Sequence, residues 1–462
     1  MPSVYIKTYG CQMNERDSEA LAALLIQKGF SLASSEIDAD IVLFNTCSVR
    51  DTAEQKAIGK ITHLANQLKK KPNKVFLGFI GCMAQAYGNN LLTRIPELDL
   101  VVGTHQLHRI PDYLMDLISN KTNKICDTAE ETDCEPNLDG HLLAESSGAQ
   151  KVSAFVNIMQ GCNQHCSFCI VPSTRGRERC RPIDQIVTEV SDLAKQGIKE
   201  VTLLGQIVTS YGRREFPYID GKSPFVQLLE KINAIPEIQR IRFTAPHPKG
   251  YDQDLIDCYA RLQKLCESAH IPVQSGSNRI LKLMKRGYTI ERFIDIINSL
   301  KKIKPEIGLI TDLIVGFPGE TDQDFEDTIS LVKTVQFDSV FAFKFSPRQG
   351  TPAASMPDQV PQMVKEERLA RLQAVINEVA TRRYSAMVGK SVEVLVEGPS
   401  RKNPSRLEGR TRCNKIVVFD PAHHQPGQIV NLKITHATAT TLYSISENLT
   451  PKHQNIKLLN VT

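Results

Sequence analysis

Three closely spaced cysteines form the pattern in this sequence that points most clearly to chemistry. Cys162, Cys166 and Cys169 make a C-x3-C-x2-C pattern within eight residues. Three thiolates can bind three irons of a cubane cluster, and without a fourth cysteine at matching spacing one iron is left open for a substrate or cofactor. The alternatives are three small buried side chains, or a zinc site completed by His165 or Cys180. Because zinc modules usually pair their cysteines as C-x2-C, the spacing favours an iron–sulfur cluster.

Three further cysteines are far apart in the sequence, yet each closely follows a segment predicted to be a strand. Cys11, Cys47 and Cys82 stand about 35 residues apart. Ligands of open parallel sheets bind outside the carboxyl ends of the strands, where three such thiols can converge. Any one of them alone is more typical of a buried core cysteine, but their equivalent positions together predict a second three-thiolate cluster. The three predicted strands span residues 4–9, 41–46 and 75–81.

The elements that must position these cysteines follow from the hydrophobic pattern. Strands and helices alternate in the N-terminal and central parts of the chain, which predicts parallel sheets and an α/β fold. Six strand–helix units in the centre predict a (βα)6-type barrel, closed or partial, and glycine-bounded strands near the C-terminus predict a small β-barrel. The predicted central strands lie near 152–159, 199–205, 239–245, 268–274, 307–316 and 338–346, and the C-terminal ones at 392–396, 415–419 and 429–434.

These patterns divide the 462 residues into domains, since one ordinary core does not extend over so long a chain. Between Asp127 and Gln150 the sequence contains seven acids and no Lys or Arg, which predicts an exposed linker. The predicted parts are an N-terminal domain with the widely spaced cysteines at 1–125, an acidic linker at 126–150, the barrel domain at 151–380 and the small β-barrel at 381–450.

The positive charge of the protein is concentrated near its C-terminus. Residues 381–462 contain 12 Lys and Arg against 5 Asp and Glu, whereas the preceding residues contain 44 against 46. A basic, glycine-containing terminal module is typical of a protein that binds a polyanion, with a merely solvated surface as the alternative. The basic strip 175–181 is a further candidate for phosphate contacts. Within the C-terminal module, the candidate contacts to a polyanion such as RNA are Arg401, Lys402, Arg406, Arg410, Arg412 and Lys415.

Composition also indicates where the protein works. No apolar run approaches the roughly 20 residues of a membrane helix, and the first residues lack the layout of a signal peptide. We therefore expect a cytoplasmic protein without a membrane partner.

In a reducing compartment, the 12 cysteines favour metal-binding or catalytic thiols over disulfides. The cysteines that match no cluster motif are predicted to be structural, and they are Cys126, Cys134, Cys258, Cys266 and Cys413.

The pattern C-x3-C-x-aromatic-C, with Phe168 in the aromatic position, resembles the radical S-adenosylmethionine (SAM) superfamily. In that superfamily, SAM chelates the open iron of a [4Fe-4S] cluster and is cleaved to a 5′-deoxyadenosyl radical. The resemblance therefore implies SAM as a cofactor and radical chemistry supplied by that cofactor. Candidate SAM contacts stand at or after the ends of predicted barrel strands, where the pocket of a barrel opens, and they are Gln206, Gln274, Arg286 and Asp312.

Nearly the whole chain resembles the methylthiotransferases, which join a three-cysteine domain, a radical SAM barrel and a TRAM β-barrel. The resemblance implies two [4Fe-4S] clusters. The cluster on Cys162, Cys166 and Cys169 would generate the radical, and the cluster on Cys11, Cys47 and Cys82 would hold the methylated sulfur. The motifs that resemble the family occupy 8–14, 45–50, 270–277 and 407–415.

Within this family, the chain most resembles the members that modify N6-isopentenyladenosine beside the anticodon. The implied reaction is methylthiolation of C2 of that base at position 37 of tRNA, with SAM as methyl donor and radical source. The implied partners are the anticodon stem-loop and an electron donor such as a flavodoxin or ferredoxin, and we expect a monomer. Alternatives are a methylthiotransferase for threonylcarbamoyladenosine or for a ribosomal-protein aspartate, and a zinc-dependent RNA-binding protein. Ile207, Thr209 and Ala245 differ from the residues usual in the family.

Overall fold

An all-parallel sheet of six strands forms the N-terminal domain of the computed structural model, which describes residues 2–48, 51–68, 73–130, 140–142 and 150–445. The strand order is β2-β1-β3-β4-β5-β6. The central strand β3 is buried along its whole length, because helices cover both faces of a parallel sheet. The elements are β1 Ser3–Tyr9, α1 Gln12–Gln27, β2 Ser31–Leu32, β3 Ile41–Thr46, α2 Asp51–Leu68, β4 Phe76–Gly81, α3 Cys82–Tyr87, α4 Asn89–Arg94, β5 Leu100–Val102, α5 Ile110–Ile118 and β6 Ile125–Asp127.

Six parallel strands form the central barrel domain, as the sequence predicts. They pair as β7-β10-β11 and β12-β13-β14, and a parallel bridge between Ile241 and Leu265 links the two groups. In the part of the chain that the structure describes, β7 and β14 do not pair, so the barrel is open on one side. The elements are β7 Ser153–Asn157, β8 Met159–Gln160, α6 Val171–Arg175, β9 Arg179–Cys180, α7 Ile183–Lys195, β10 Glu200–Leu204, α8 Pro224–Asn233, β11 Arg240–Phe243, α9 Gln253–Arg261, β12 Ser268–His270, α10 Asn278–Leu283, α11 Ile290–Ile303, β13 Gly308–Val315, α12 Asp322–Val335, β14 Ser339–Lys344 and α13 Gln362–Ser385.

The C-terminal strands form one curled, six-stranded sheet in the order β18-β15-β16-β17-β20-β19. A register shift between Val396 and Gly398 bends β15, as bulges do. The curled sheet encloses a small core that includes Val394, Val417 and Phe419. The elements are β15 Ser391–Pro399, β16 Leu407–Thr411, β17 Ile416–Phe419, β18 Ile429–Lys433, β19 His436–Ala437 and β20 Thr441–Ser444.

The N-terminal domain is joined to the barrel by ion pairs, and part of the predicted linker takes part in them. His141 Nε2 lies 2.7 Å from Glu189 Oε1 on α7, and its Nδ1 lies 3.2 Å from Glu19 Oε2 on α1. Arg16 donates to the carbonyl of Gly140. The prediction of an exposed connection is therefore wrong at His141, because carboxylates from both domains hold its ring. Cys134 and most of the linker lie outside the described residues.

The C-terminal sheet packs against the amino-terminal end of the barrel. Arg240, the first residue of β11, is fully buried and donates to the carbonyl of Arg410 at 2.7 Å. Arg242 donates to the carbonyls of Thr411 and Arg412. Gly308, the first residue of β13, faces Cys413 so closely that a Cβ would lie 2.5 Å from the Cys413 carbonyl. A glycine is therefore required where the sheet meets this strand.

A buried carboxylate completes this junction. Asp338, just before β14, accepts hydrogen bonds from Lys415 at 2.6 Å and from Arg383 at 3.0 Å, and it also accepts the Leu309 amide. Although burial would raise it, Lys415 and Arg383 hold the pKa of Asp338 below its ordinary value. The carboxylate thus stabilises the fold above the ordinary carboxyl pKa, and this contribution is lost as the pH falls through the lowered value.

We expect Asp338→Asn to destabilise the protein, because it leaves Lys415 buried without its counter-charge. Removing one partner of a buried pair costs about 3 kcal/mol or more. The change should lower the melting temperature and speed proteolysis of the C-terminal sheet, measured by calorimetry and by timed digestion. Glu378→Gln removes an exposed pair with Arg382 on α13 and should change neither. Equal melting temperatures for the two variants would contradict this prediction.

Candidate functional site

One cavity of about 250 Å³ lies between the N-terminal domain and the carboxyl-terminal end of the barrel, and all six cysteines of the two predicted sets line it. Two of the four predicted SAM contacts, Gln206 and Arg286, line it as well. The structure thus brings together two groups of thiols from different domains. The lining residues are Cys11, Gln12, Met13, Cys47, Cys82, Cys162, Gln164, Cys166, Cys169, Val171, Thr174, Arg175, Leu204, Gly205, Gln206, Ile207, Thr244, Ala245 and Arg286.

Strand register brings the first set of cysteines together. Tyr9 of β1 pairs with Thr46 of β3, and Thr46 pairs with Gly81 of β4, so the three strands end side by side. Cys11 stands two residues after Tyr9. Cys47 directly follows Thr46, and Cys82 directly follows Gly81. The convergence predicted from strand ends is therefore a direct result of parallel pairing.

A buried amide network supports these cysteines. Asn14 and Asn45 are fully buried, and Asn14 Nδ2 donates to Asn45 Oδ1 at 3.0 Å. The Cys11 sulfur lies 3.3 Å from Asn14 Oδ1. Gly81 has a φ of +87°, and a Cβ there would lie 2.2 Å from Asn45 Oδ1. Glycine is required at this strand end because the asparagine occupies the space beside it.

The second set lies on the loop between β8 and α6. The Cys162 amide donates to the Gly176 carbonyl at 3.1 Å, and Ser167 is held by the carbonyls of Leu283 and Met284. Phe168, in the aromatic position of the motif, packs edge-on against Phe317 at 6.5 Å between ring centroids. The aromatic residue therefore anchors the loop in the core, while the cysteines on either side of it face the cavity.

Burial and neighbouring charges affect the two sets of thiols differently. Hydrogen bonding with Cys47 lowers the pKa of Cys11 to about 6 in spite of burial. Burial raises the pKa of Cys162 to about 11 and that of Cys169 to about 12. Burial also raises the pKa of Cys82, although Arg175 opposes the shift. Cys82, Cys162 and Cys169 therefore require a nearby cation or a metal to become thiolates near neutral pH.

Both sets fit iron–sulfur clusters by their donors and by the groups around them. Each set supplies three thiols, and an arginine donates to one sulfur of each, namely Arg286 Nη1 to Cys166 at 3.3 Å and Arg175 Nε to Cys82 at 3.2 Å. Among the described His, Cys, Asp and Glu side chains, no three are grouped as a single metal ion requires. In a cubane, each thiolate binds a different iron, so three thiols can hold a cluster and leave its fourth iron open.

The other two candidate SAM contacts are not among the residues that line the cavity. Gln274 follows β12, is buried and has a φ of +74°, and its amide donates to the Asp312 carbonyl. Asp312, on β13, pairs with His270 Nε2 at 3.3 Å. Strand register pairs Asp312 with Phe341 of β14. Asp312 lies on the face of the sheet opposite to the core residues Leu309, Leu313 and Val315 of the same strand. Neither residue lies on the wall of the cavity that the two sets of thiols share.

The candidate RNA contacts separate into two groups. Arg401 and Lys402 are exposed at the tip of the β15–β16 hairpin. Arg412 instead pairs with Glu267 at 2.6 Å, and Lys415 is buried against Asp338. The prediction of an RNA contact is wrong for Lys415, because its ammonium belongs to the domain junction. Two further candidates pair with carboxylates of the C-terminal domain. Arg410 pairs with Glu397, and Arg406 pairs with Asp420.

Sequence reasoning also misplaced two arginines of the basic strip 175–181. Arg175 is buried and pairs with Asp17 at 2.6 Å, and Arg181 is buried and pairs with Glu189. Neither guanidinium is available to RNA phosphates. The asparagines Asn14 and Asn45 stand in motifs that the sequence singled out, but their role was missed because only the fold shows that they meet.

Three family models match successive parts of the chain. The model described as "Radical SAM superfamily" matches residues 156–332, and the model described as "TRAM domain" matches residues 385–445. A model described as "Uncharacterized protein family UPF0004" matches residues 3–103. None of the helices in the described residues is long and apolar enough to cross a membrane.

Similar proteins cover nearly the whole chain. A protein of Opitutus terrae named tRNA-2-methylthio-N(6)-dimethylallyladenosine synthase is 48% identical over 96% of this chain and 97% of its own length. Proteins of the same name from Methylacidiphilum infernorum and Akkermansia muciniphila are 48% and 47% identical, each over 96% of this chain, and 94% and 99% of their own lengths. These matches confirm the resemblance drawn from the sequence.

A solved structure shares the fold at much lower sequence identity. The radical S-adenosylmethionine methyltransferase TsrM from Kitasatospora setae, solved with cobalamin and a [4Fe-4S] cluster, gives a TM-score of 0.53 at 14% identity. The match covers 76% of this chain and 77% of TsrM. At this identity the match supports the architecture alone.

We expect Cys11 to react faster than Cys162 in iron-free protein near neutral pH. With a pKa of about 6, Cys11 is mostly thiolate at pH 7, whereas Cys162, at about 11, is almost entirely thiol. Alkylation by iodoacetamide, mapped by mass spectrometry from pH 5 to 9, should give a Cys11 rate that rises through pH 6 and then levels off. Cys47→Ala removes the hydrogen bond and should move that midpoint upward. An unmoved midpoint would contradict this account of the Cys11 thiol.

Proposed function

Because the chain belongs to the tRNA-2-methylthio-N(6)-dimethylallyladenosine synthase family of radical SAM enzymes, we propose that it methylthiolates C2 of N6-isopentenyladenosine at position 37 of tRNA. The observation that carries this proposal is the single cavity shared by two sets of three cysteines. Hydrogen removal and carbon–sulfur bond formation must occur at the same carbon. A cavity lined by both sets lets one bound base meet both reagents without leaving.

Family membership implies SAM and a [4Fe-4S] cluster, and we propose two clusters. Cys162, Cys166 and Cys169 would hold the one that binds SAM, and Cys11, Cys47 and Cys82 would hold the other. When bound, these groups supply the adenosyl radical and the methylated sulfur. SAM would serve both as radical source and as methyl donor.

The side chains around the thiols have separate tasks in this proposal. Arg286 donates to Cys166 and to the carbonyl of Pro272, so it fixes the cysteine loop against the barrel wall. Gln206 lines the cavity and its Oε1 is buried without a hydrogen-bond partner among the described residues. An amide with an unused acceptor beside the cysteine loop suits the ammonium group of SAM.

The substrate proposal concerns tRNA, with the anticodon stem-loop as the part that enters the cavity. Arg401 and Lys402 are the exposed cations of the C-terminal sheet to which we assign phosphate contacts. An electron donor such as a reduced flavodoxin or ferredoxin, a monomeric state and a cytoplasmic location complete the proposal. The names of the relatives favour isopentenyladenosine over threonylcarbamoyladenosine or a protein aspartate.

The direct test is mass spectrometry of nucleosides from isopentenylated tRNA. The reconstituted protein is incubated anaerobically with SAM, sulfide and reductant, and we expect the 2-methylthio product. Formation of 5′-deoxyadenosine without a modified base would overturn the substrate while keeping the radical chemistry. Zinc-loaded protein without iron or acid-labile sulfide would overturn the enzyme assignment.

The two sets of cysteines should differ in what their loss removes. We expect Cys166→Ala to abolish both 5′-deoxyadenosine and the modified base, since it removes a thiol of the SAM-binding set. Cys47→Ala should retain SAM cleavage and lose methylthio transfer. Cys126→Ser, on β6 and outside the cavity, is the matched control and should keep both products. SAM cleavage by Cys166→Ala would refute the assignment of roles.

Lys402→Glu should weaken tRNA binding most at low salt. Loss of one phosphate contact lowers the slope of log affinity against log salt by about one and should raise the Kd several-fold at about 50 mM salt. Filter binding across a salt series measures both quantities. Lys195→Glu, at an exposed position on α7, makes the same charge change away from the hairpin tip. Equal losses in the two variants would show a response to net charge instead of a contact.

A further inference from the structure

Arg175 connects the two domains at the cavity. It is the last residue of α6, six residues after Cys169, and therefore belongs to the cysteine loop of the barrel. Its side chain enters the N-terminal domain, where Nε donates to Cys82 Sγ at 3.2 Å and Nη2 donates to Asp17 Oδ2 at 2.6 Å. The same segment thus carries the thiols of one set and contacts a thiol of the other.

Neighbouring contacts hold α6 in this position. Helix α6 packs against α3, which begins with Cys82. Thr104 Oγ1 donates to the Thr174 carbonyl. At Gly176, which has a φ of +74°, a Cβ would lie 2.8 Å from His105 Cε1. The loop is therefore fixed against the N-terminal domain immediately before and after Arg175.

The guanidinium of Arg175 is buried, with 2% of the residue exposed. A buried charge is costly unless it is paired and hydrogen-bonded, and Asp17 supplies one partner. Nη1 is also buried, and it has no hydrogen-bond partner among the described residues. Since Arg175 lines the cavity, a donor remains available beside the thiols of the N-terminal domain. A sulfur acceptor at these thiols would satisfy it.

We propose that Arg175 is a positioning residue through which the barrel domain hydrogen-bonds the N-terminal cluster and raises its reduction potential. The inference rests on the proposed function, since it requires a cluster on Cys11, Cys47 and Cys82. Reduction adds negative charge to a cluster, and a nearby buried cation stabilises the reduced form more than the oxidised form. Hydrogen bonds to cluster sulfurs act in the same direction.

Arg286 provides the internal comparison. Its Nη1 lies 3.3 Å from Cys166 Sγ, so it contacts the barrel set as Arg175 contacts the N-terminal set. Arg286 comes from the same domain as the thiol that it contacts, whereas Arg175 crosses to the other domain. The potential of the N-terminal cluster is therefore expected to depend on Arg175, a residue of the barrel domain, whereas the potential of the barrel cluster is not.

The test is a redox titration of the full-length, reconstituted protein, followed by electron paramagnetic resonance. Cys166→Ala is used as the background, because it removes a thiol of the proposed barrel cluster. The resonance signal of the N-terminal cluster can then be measured without overlap from the barrel cluster. In this background, Arg175→Gln should move the midpoint potential to a more negative value and change the g-values of the reduced cluster. Arg175→Lys keeps the charge and should move the potential less. In a Cys82→Ala background, the barrel cluster should keep its potential when Arg175 is replaced.

Arg348→Gln is the matched control. Arg348 makes a buried ion pair across the same domain interface, with Glu54 Oε2 at 3.0 Å, but does not line the cavity. Arg348→Gln leaves the Arg175 contacts with Cys82 and Asp17 in place, so the potential of the N-terminal cluster should not move. An unchanged potential in Arg175→Gln, or an equal shift in Arg348→Gln, would overturn the inference and leave the proposed function intact. Absence of any N-terminal cluster signal in the Cys166→Ala parent would instead overturn the two-cluster proposal and this inference with it.

Discussion

The structure depends on one geometric constraint, which is that two parallel sheets direct their carboxyl ends at the same cavity. In the N-terminal domain, the register of β1, β3 and β4 brings three strand ends into line. In the barrel, the cysteine loop follows β8 at the corresponding end of the strands. Parallel pairing therefore fixes the site before any cofactor binds. If the register of β1, β3 or β4 shifted by one residue, one strand end and the cysteine that follows it would move by about 3 Å relative to the others.

Such an arrangement requires the two domains to hold each other firmly. Apolar packing alone does not fix the relative position of two sheet edges, and the interface instead uses directional contacts. Arg175–Asp17 and Arg348–Glu54 are both buried pairs between the domains. Breaking either pair separates two buried opposite charges, so both pairs disfavour other ways of docking the two domains. The two domains are thus held in one relative position, because other positions would have a higher free energy.

The sequence predicted the features that depend on local spacing and missed those that depend on distant partners. The cysteine loop and the principal strands follow from periodicity and motif spacing. Short strands such as β5 and β6 have three residues each and show no period to detect. Arg175 and Lys415 were read as surface cations because their carboxylate partners stand 158 and 77 residues away. A basic residue shows its charge in the sequence, but only the fold shows whether that charge is already neutralised.

The two ends of the barrel therefore serve different purposes, and this limits how an RNA can bind. The cavity lies at the carboxyl end, whereas the C-terminal sheet packs on the amino end through Arg240 and Arg242. A barrel strand such as β13, with eight residues, is about 26 Å long. Arg401 and Lys402 belong to the sheet that packs on the amino end, so an RNA that contacts them and also places a base in the cavity must reach two separate parts of the protein. A free nucleotide cannot contact both parts at once, so the proposed phosphate contacts would contribute to binding only for a larger RNA.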